Sequence, residues 1–178
     1  MVFWLILTAI LSFMMSYSIG SNDAANGLAT SYGSKAMSLG NLVILGAVAE
    51  FIGAMFCSDA VAATLSAKII PDLDTLSPYD QNLMMFAVCL CSFLFIMSSS
   101  LFGMPISGTH TVIGALLGAG IVATGSDNLN WHQLGIIVLS WFVSPMLAAL
   151  IAYILMTNVA AWTMNSLNLS YRTRLWGL

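Results

Sequence analysis

The apolar run VFWLILTAILSFMMSYSI at residues 2–19 leads directly into the polar octet GSNDAANG at residues 20–27. A helix needs roughly 20 consecutive apolar residues to cross about 30 Å of hydrocarbon, so the run predicts a first membrane span. The octet is too rich in polar and small residues for an ordinary lipid-facing segment. We therefore predict that the first span is broken within residues 20–27, where freed backbone groups would line a cavity.

The composition of the whole chain agrees with a membrane protein. Of its 178 residues, 60% are hydrophobic and only 6% are charged, and the net charge is −3. A soluble domain of this size would lack the charged surface that keeps proteins dispersed. The weak, scattered charge gives no reason to expect a nucleic-acid partner. The sequence predicts an integral, multi-pass protein of the lipid bilayer, in a plasma or inner membrane.

Four further apolar segments follow the first span. We expect spans over residues 37–57, 83–102, 112–124 and 131–157. The segment at 112–124 is too short for a full crossing, and the polar sequence GMPISGTHT precedes it. The predicted fold is therefore all-α, a transmembrane helical bundle of about five spans with two broken or short segments. We expect one membrane domain over residues 1–160 and a polar tail or linker over 161–178.

The two polar clusters predict a binding site for a small oxyanion. Transporters often use Gly- or Pro-interrupted membrane segments whose helix N-termini point at an anionic substrate near the midplane. In the first cluster, Asn22, Asn26 and Thr30 are spaced by four and would share one helix face. In the second, Ser107 and Thr109 offer hydroxyl groups near a helix start. The alternative is that both clusters only cap helices and pack them together.

Glu50 is predicted to lie in the middle of the second span, among small residues such as Gly46 and Gly53. An ionisable group at that depth costs a few kcal/mol, so it is a functional candidate by default. We expect it to bind a coupling cation or carry a proton. A structural hydrogen bond to a neighbouring helix is the alternative.

Three segments, in this order, resemble the inorganic phosphate transporter (PiT) family: GSNDAANGLATSYGSK at 20–35, AVAEFIGA at 47–54 and PISGTH at 105–110. The resemblance implies cation-coupled symport of inorganic phosphate, with sodium or a proton as the coupling ion and neither a cofactor nor another metal. It assigns phosphate binding to Asn22, Asp23, Ser107 and Thr109, and the coupling cation to Asn26, Glu50 and His110. Gly108 departs from the family pattern, which more often has Ser or Thr there.

Family members carry two related, inverted halves, so the resemblance implies one half of an inverted-repeat transporter. A second transporter half, or another copy of the chain, is the expected partner. The alternatives are a non-transporting membrane assembly or receptor subunit, and a sulfate-carrying relative. Phosphate keeps a proton at neutral pH and sulfate does not, so Asp23 can accept a hydrogen bond from phosphate but would repel sulfate. The sequence contains no HExxH or GxSxG motif, and we expect no enzyme.

Overall fold

A computed structural model describes residues 2–67, 69–71 and 73–164. Within these ranges the regular structure is helical. The α-helices are α1 (Val2–Gly33), α2 (Leu39–Ala67), α3 (Pro78–Leu101), α4 (Gly108–Thr124) and α5 (Trp131–Met164). Short 3-10 helices at Leu73–Thr75 and Ser126–Asn128 lie in the connections that follow α2 and α4. The predicted all-α helical bundle is confirmed.

Four of the helices contain segments long and apolar enough to cross a membrane: Val2–Gly33, Leu39–Phe56, Pro78–Leu101 and Trp131–Trp162. The remaining helix, α4, has 17 residues. At 1.5 Å per residue it is about 26 Å long, less than the roughly 30 Å of a hydrocarbon core. The predictions of a multi-pass membrane protein and of a short fourth segment are both confirmed.

The predicted break in the first span is wrong. α1 runs through the polar octet to Gly33 as one helix of 32 residues. The octet stays helical because its buried polar side chain, Asn22, bonds to a neighbouring segment and needs no unwound backbone of its own. Membrane helices also tolerate glycine. The sequence predicts two interruptions, one in the first span and one before the fourth. Among the described residues, the structure has the second of these, between α3 and α4.

Small polar residues join α1 and α3, which run parallel to each other. Ser12 Oγ lies 3.4 Å from Cys89 Sγ, and ten residues further along α1 Asn22 Nδ2 donates to Ser100 Oγ at 3.0 Å. Small side chains allow membrane helices to approach closely, and polar ones can bond across the interface. This pairing fixes the end of α3 beside the polar octet of α1.

An apolar core packs against the C-terminal half of α4. The buried residues of this core come from α3, α4 and the connections that follow α2 and α4: Ile69, Ile70, Met84, Val88, Leu116 and Leu129. Gly120 allows the close approach, since a Cβ atom built there would lie 2.9 Å from Ile70 Cδ1. With one end of α4 held in this core, its first turn is directed toward α1.

The division between membrane domain and tail stays a prediction. α5 continues to Met164, past the expected boundary at residue 160. The rest of the predicted tail, residues 165–178, lies outside the described residues.

Candidate functional site

Asn22 of α1 holds the segment that connects α3 to α4. Its Nδ2 donates to Ser100 Oγ at 3.0 Å and to the backbone oxygen of Met104 at 3.3 Å. Its Oδ1 accepts from the backbone nitrogen of Ile106 at 3.0 Å, and the side chain is only 5% exposed. Both amide hydrogens are therefore used within the protein. In this structure Asn22 positions the segment before α4 and has no donor left for an anion.

Ser107 caps the N-terminus of α4. Its Oγ accepts from the backbone nitrogen of His110 at 3.3 Å and lies 2.6 Å from His110 Nδ1. Thr111 Oγ1 donates to the backbone oxygen of Ser107 at 3.0 Å. Thr109 lies in the same first turn with its side chain exposed. The first N–H groups of a helix lack intrahelical acceptors and form a partly positive end, which suits an oxyanion.

Gly108 brings this helix start against α1. The residue is buried, and a Cβ atom built on it would lie 3.2 Å from Ile19 Cγ2 and 3.6 Å from Asp23 Oδ2. Gly108 is thus a point of close contact between α4 and α1. As a result, the Asp23 carboxylate lies beside the positive end of α4.

Asp23 also lines a cleft of about 340 Å³ between α1 and α2, and Glu50 lines the same cleft from α2. Most of the other lining residues are small, among them Gly20, Gly27 and Gly46. A Cβ atom at Gly20 would lie 3.7 Å from Glu50 Oε2, an ordinary van der Waals distance, so the Glu50 carboxylate lies directly against this part of α1. The structure therefore brings two carboxylates to one open space.

A second cleft, of about 440 Å³, contains Asn22 and Asn26 together with Ser100, Met104 and Pro105. The two asparagines share one face of α1, as their spacing predicts. Asp23 lines the other cleft, toward α2. The spatial grouping therefore differs from the one that the resemblance implies, in which Asn22 and Asp23 bind phosphate while Asn26 and Glu50 serve the cation. The roles themselves stay predictions.

His110 stacks on Trp141 of α5, with ring centroids 3.6 Å apart and an interplanar angle of 27°. Sequence reasoning missed Trp141, since it belongs to neither polar cluster. The one available signal was its position ten residues into the fifth span. Tryptophans of membrane helices usually lie at the interfaces with water.

The carboxylates of the α1–α2 cleft have no basic counter-charge in the described part of the chain. The single lysine or arginine within the described ranges is Lys35, which lies at the turn between α1 and α2. Buried or membrane-embedded carboxylates are normally paired or bind cations. The arrangement thus combines a partly positive helix end with two acidic groups that can take up a cation.

Comparisons with known proteins show which family the chain is similar to. The phosphate transporter family matches residues 19–176. A protein of Thermococcus kodakarensis named "Putative phosphate permease" is 36% identical over 155 residues, which are 85% of this chain and 37% of that protein. A Helicobacter pylori protein of the same name is 37% identical over 149 residues, or 83% of this chain and 28% of that protein.

A solved structure named the sodium-dependent phosphate transporter superposes with a TM-score of 0.84 at 30% identity, covering 96% of this chain and 42% of that one. The chain thus spans less than half the length of these proteins. Their family is one of transporters, which confirms the expectation of a protein that is not an enzyme. The chain belongs to the phosphate transporter family.

Proposed function

We propose that this chain takes part in the symport of inorganic phosphate with sodium ions or protons. One observation carries the proposal: Asp23 lies beside the start of α4 and also lines the cleft that contains Glu50. The family and the named relatives support phosphate as the substrate. The sodium-dependent structural neighbour supports coupling to a cation.

The electrostatics of the site give a reason for coupling. Phosphate at neutral pH carries between one and two negative charges, and it would approach two carboxylates that lack a basic partner in the described residues. Cations bound at Asp23 and Glu50 would offset this repulsion. Bound phosphate would then increase the affinity of the site for the cation, and the bound cation would increase its affinity for phosphate. This reciprocal effect is the thermodynamic basis of coupling.

The residues of the site take distinct roles in this proposal. The hydroxyls of Ser107 and Thr109, with the first backbone N–H groups of α4, donate to phosphate oxygens. Asn22 holds the segment before α4 in place. Asp23 accepts a hydrogen bond from the hydroxyl group that phosphate retains at neutral pH, which favours phosphate over sulfate.

Glu50 and Asp23 together bind the cation in the α1–α2 cleft. Asn26 and His110, which the resemblance also assigns to the cation, contribute to the pathway by which it reaches or leaves the site. Cation binding beside Asp23 is what connects the cleft to the phosphate at the start of α4.

We further propose that the partner is a second transporter half or another copy of the chain in the opposite orientation. In the apolar stretch of α5 that could cross a membrane, no residue is buried, and in the corresponding stretch of α2 only 6% of the residues are buried. Non-helical backbone between α3 and α4 must be covered by protein or water, since lipid offers it no hydrogen bonds. Transporters of this type place the substrate between two related bundles.

Uptake measurements in liposomes test the proposal. The native assembly that contains the chain is reconstituted, and radiolabelled phosphate is supplied with an inward sodium gradient, an inward proton gradient or no gradient. We expect saturable accumulation that requires one of the two gradients and that excess sulfate does not inhibit. Binding without translocation would indicate a receptor or assembly subunit instead. Strong inhibition by sulfate would indicate a sulfate carrier.

A further inference from the structure

Trp141 connects α5 to the start of α4. Its indole stacks on the imidazole of His110, and the indole is partly buried whereas the neighbouring side chains of Ser140 and Phe142 are exposed. The imidazole in turn lies within hydrogen-bond distance of Ser107, at 2.6 Å between Nδ1 and Oγ. A chain of contacts therefore runs from α5 to a hydroxyl of the proposed phosphate site.

The imidazole controls where the Ser107 hydroxyl hydrogen points. Ser107 Oγ already accepts from the backbone nitrogen of His110, so one lone pair and one hydrogen remain. When Nδ1 carries no hydrogen, Ser107 donates its hydroxyl hydrogen to the ring and has none left for an anion. When Nδ1 carries a hydrogen, the ring donates to Oγ, and the hydroxyl hydrogen is free to point at a phosphate oxygen.

We propose that Trp141 is a positioning residue of the anion site, acting through His110 on Ser107. Stacking holds the imidazole plane so that Nδ1 stays within reach of Oγ. In the proposed arrangement the hydrogen is on Nδ1, so the ring donates to Oγ and the Ser107 hydroxyl hydrogen points at phosphate. A ring without this support would rotate about its side-chain bonds and lose the short contact. The inference rests on the proposed function, because it concerns how tightly the same site binds phosphate.

The sequence of α5 adds a second observation. Pro145 lies inside the helix, four residues after Trp141. Proline has no N–H group, so the backbone oxygen of Trp141 cannot receive its usual helical hydrogen bond. The helix is therefore weakened at the residue that forms the stack. Displacement of α5 at this point would move the indole off His110, and the imidazole could then rotate away from Ser107.

Phosphate uptake kinetics of the native assembly test the inference. Trp141→Leu removes the stack, and we expect KM for phosphate to rise about tenfold, the worth of one charge-assisted hydrogen bond, with little change in maximal rate. Trp141→Phe keeps an aromatic face and should stay within about twofold of the wild type. Phe142→Leu, at an exposed neighbour, is the matched control and should behave as the wild type. Trp141→Met replaces Trp141→Leu if the latter inserts poorly.

A double-mutant cycle shows whether Trp141 acts through His110. In a His110→Ala background, Trp141→Leu should raise KM no further, because the ring it supports is already absent. Independent, multiplying effects would overturn the inference, as would an unchanged or lowered KM in Trp141→Leu while the wild type transports phosphate. An absence of saturable phosphate uptake in the wild type would instead overturn the proposed function and this inference together.

Discussion

The carboxylate of Asp23 on α1 lies beside Gly108, the first residue of α4. A Cβ atom at Gly108 would be 3.6 Å from Asp23 Oδ2. The same aspartate lines the α1–α2 cleft with Glu50. One side chain thereby connects a helix end suited to phosphate with a cleft suited to a cation.

Replacing Asp23 should abolish transport without preventing membrane insertion. Asp23→Ala removes the carboxylate from both the helix start and the cleft, so we expect no saturable phosphate uptake. The measurement is uptake per inserted molecule, with Asp127→Asn in an exposed loop as a control for the loss of one acidic group. Wild-type phosphate affinity in Asp23→Ala would contradict the assignment.

Replacing Glu50 should separate accumulation from binding. Glu50→Gln removes the charge at nearly constant volume, so gradient-driven accumulation should fail while phosphate exchange at equal concentrations persists. Exchange and accumulation are measured on the same vesicles. Unchanged accumulation in sodium and proton gradients would leave Glu50 with a structural role.

Replacing Asn22 should destabilise the segment between α3 and α4. Asn22→Ala deletes three hydrogen bonds, and at about 0.6 kcal/mol each in a membrane the expected loss is about 2 kcal/mol. Thermal unfolding in detergent measures the loss. Asn26→Ala, one helical turn along and exposed, is the control and should unfold close to the wild type. Equal stability of the two variants would refute the positioning role of Asn22.

Side chains at Gly108 should be tolerated much less than at Gly114 of the same helix. A Cβ at Gly108 would already lie 3.2 Å from Ile19 Cγ2, so Gly108→Val would crowd α1. At Gly114, no atom apart from the nearby backbone of α4 itself lies within 4 Å of a built Cβ. We expect Gly108→Val to lose most phosphate uptake and Gly114→Val to fold and insert normally. Uptake by Gly108→Val as high as that of Gly114→Val and of the wild type would show that α4 does not need the close contact with α1.

The helical membrane fold could be predicted from the sequence because it depends on the lengths of apolar runs. The short α4 follows from the dozen or so apolar residues available to it, and the shared face of Asn22 and Asn26 follows from helical periodicity. These are local properties, and the structure confirms them.

Features that depend on distant contacts could not be predicted. The continuity of α1 through the polar octet depends on partners of Asn22 that are 78 to 84 residues away in sequence. The placement of Asp23 and Glu50 in one cleft depends on how α1 and α2 pack. The stack of Trp141 on His110 likewise depends on where α5 lies, and no local pattern encodes that.

The most direct test of cation-dependent phosphate binding is a phosphate titration of the purified native assembly. The dissociation constant is measured in sodium chloride and in choline chloride at equal ionic strength, each at two pH values, for the wild type and Glu50→Gln. We expect sodium or added protons to tighten phosphate binding in the wild type by at least about tenfold, or 1.4 kcal/mol, and Glu50→Gln to remove the effect. A wild-type dissociation constant that is the same in sodium and choline, at both pH values, would contradict cation-coupled phosphate binding.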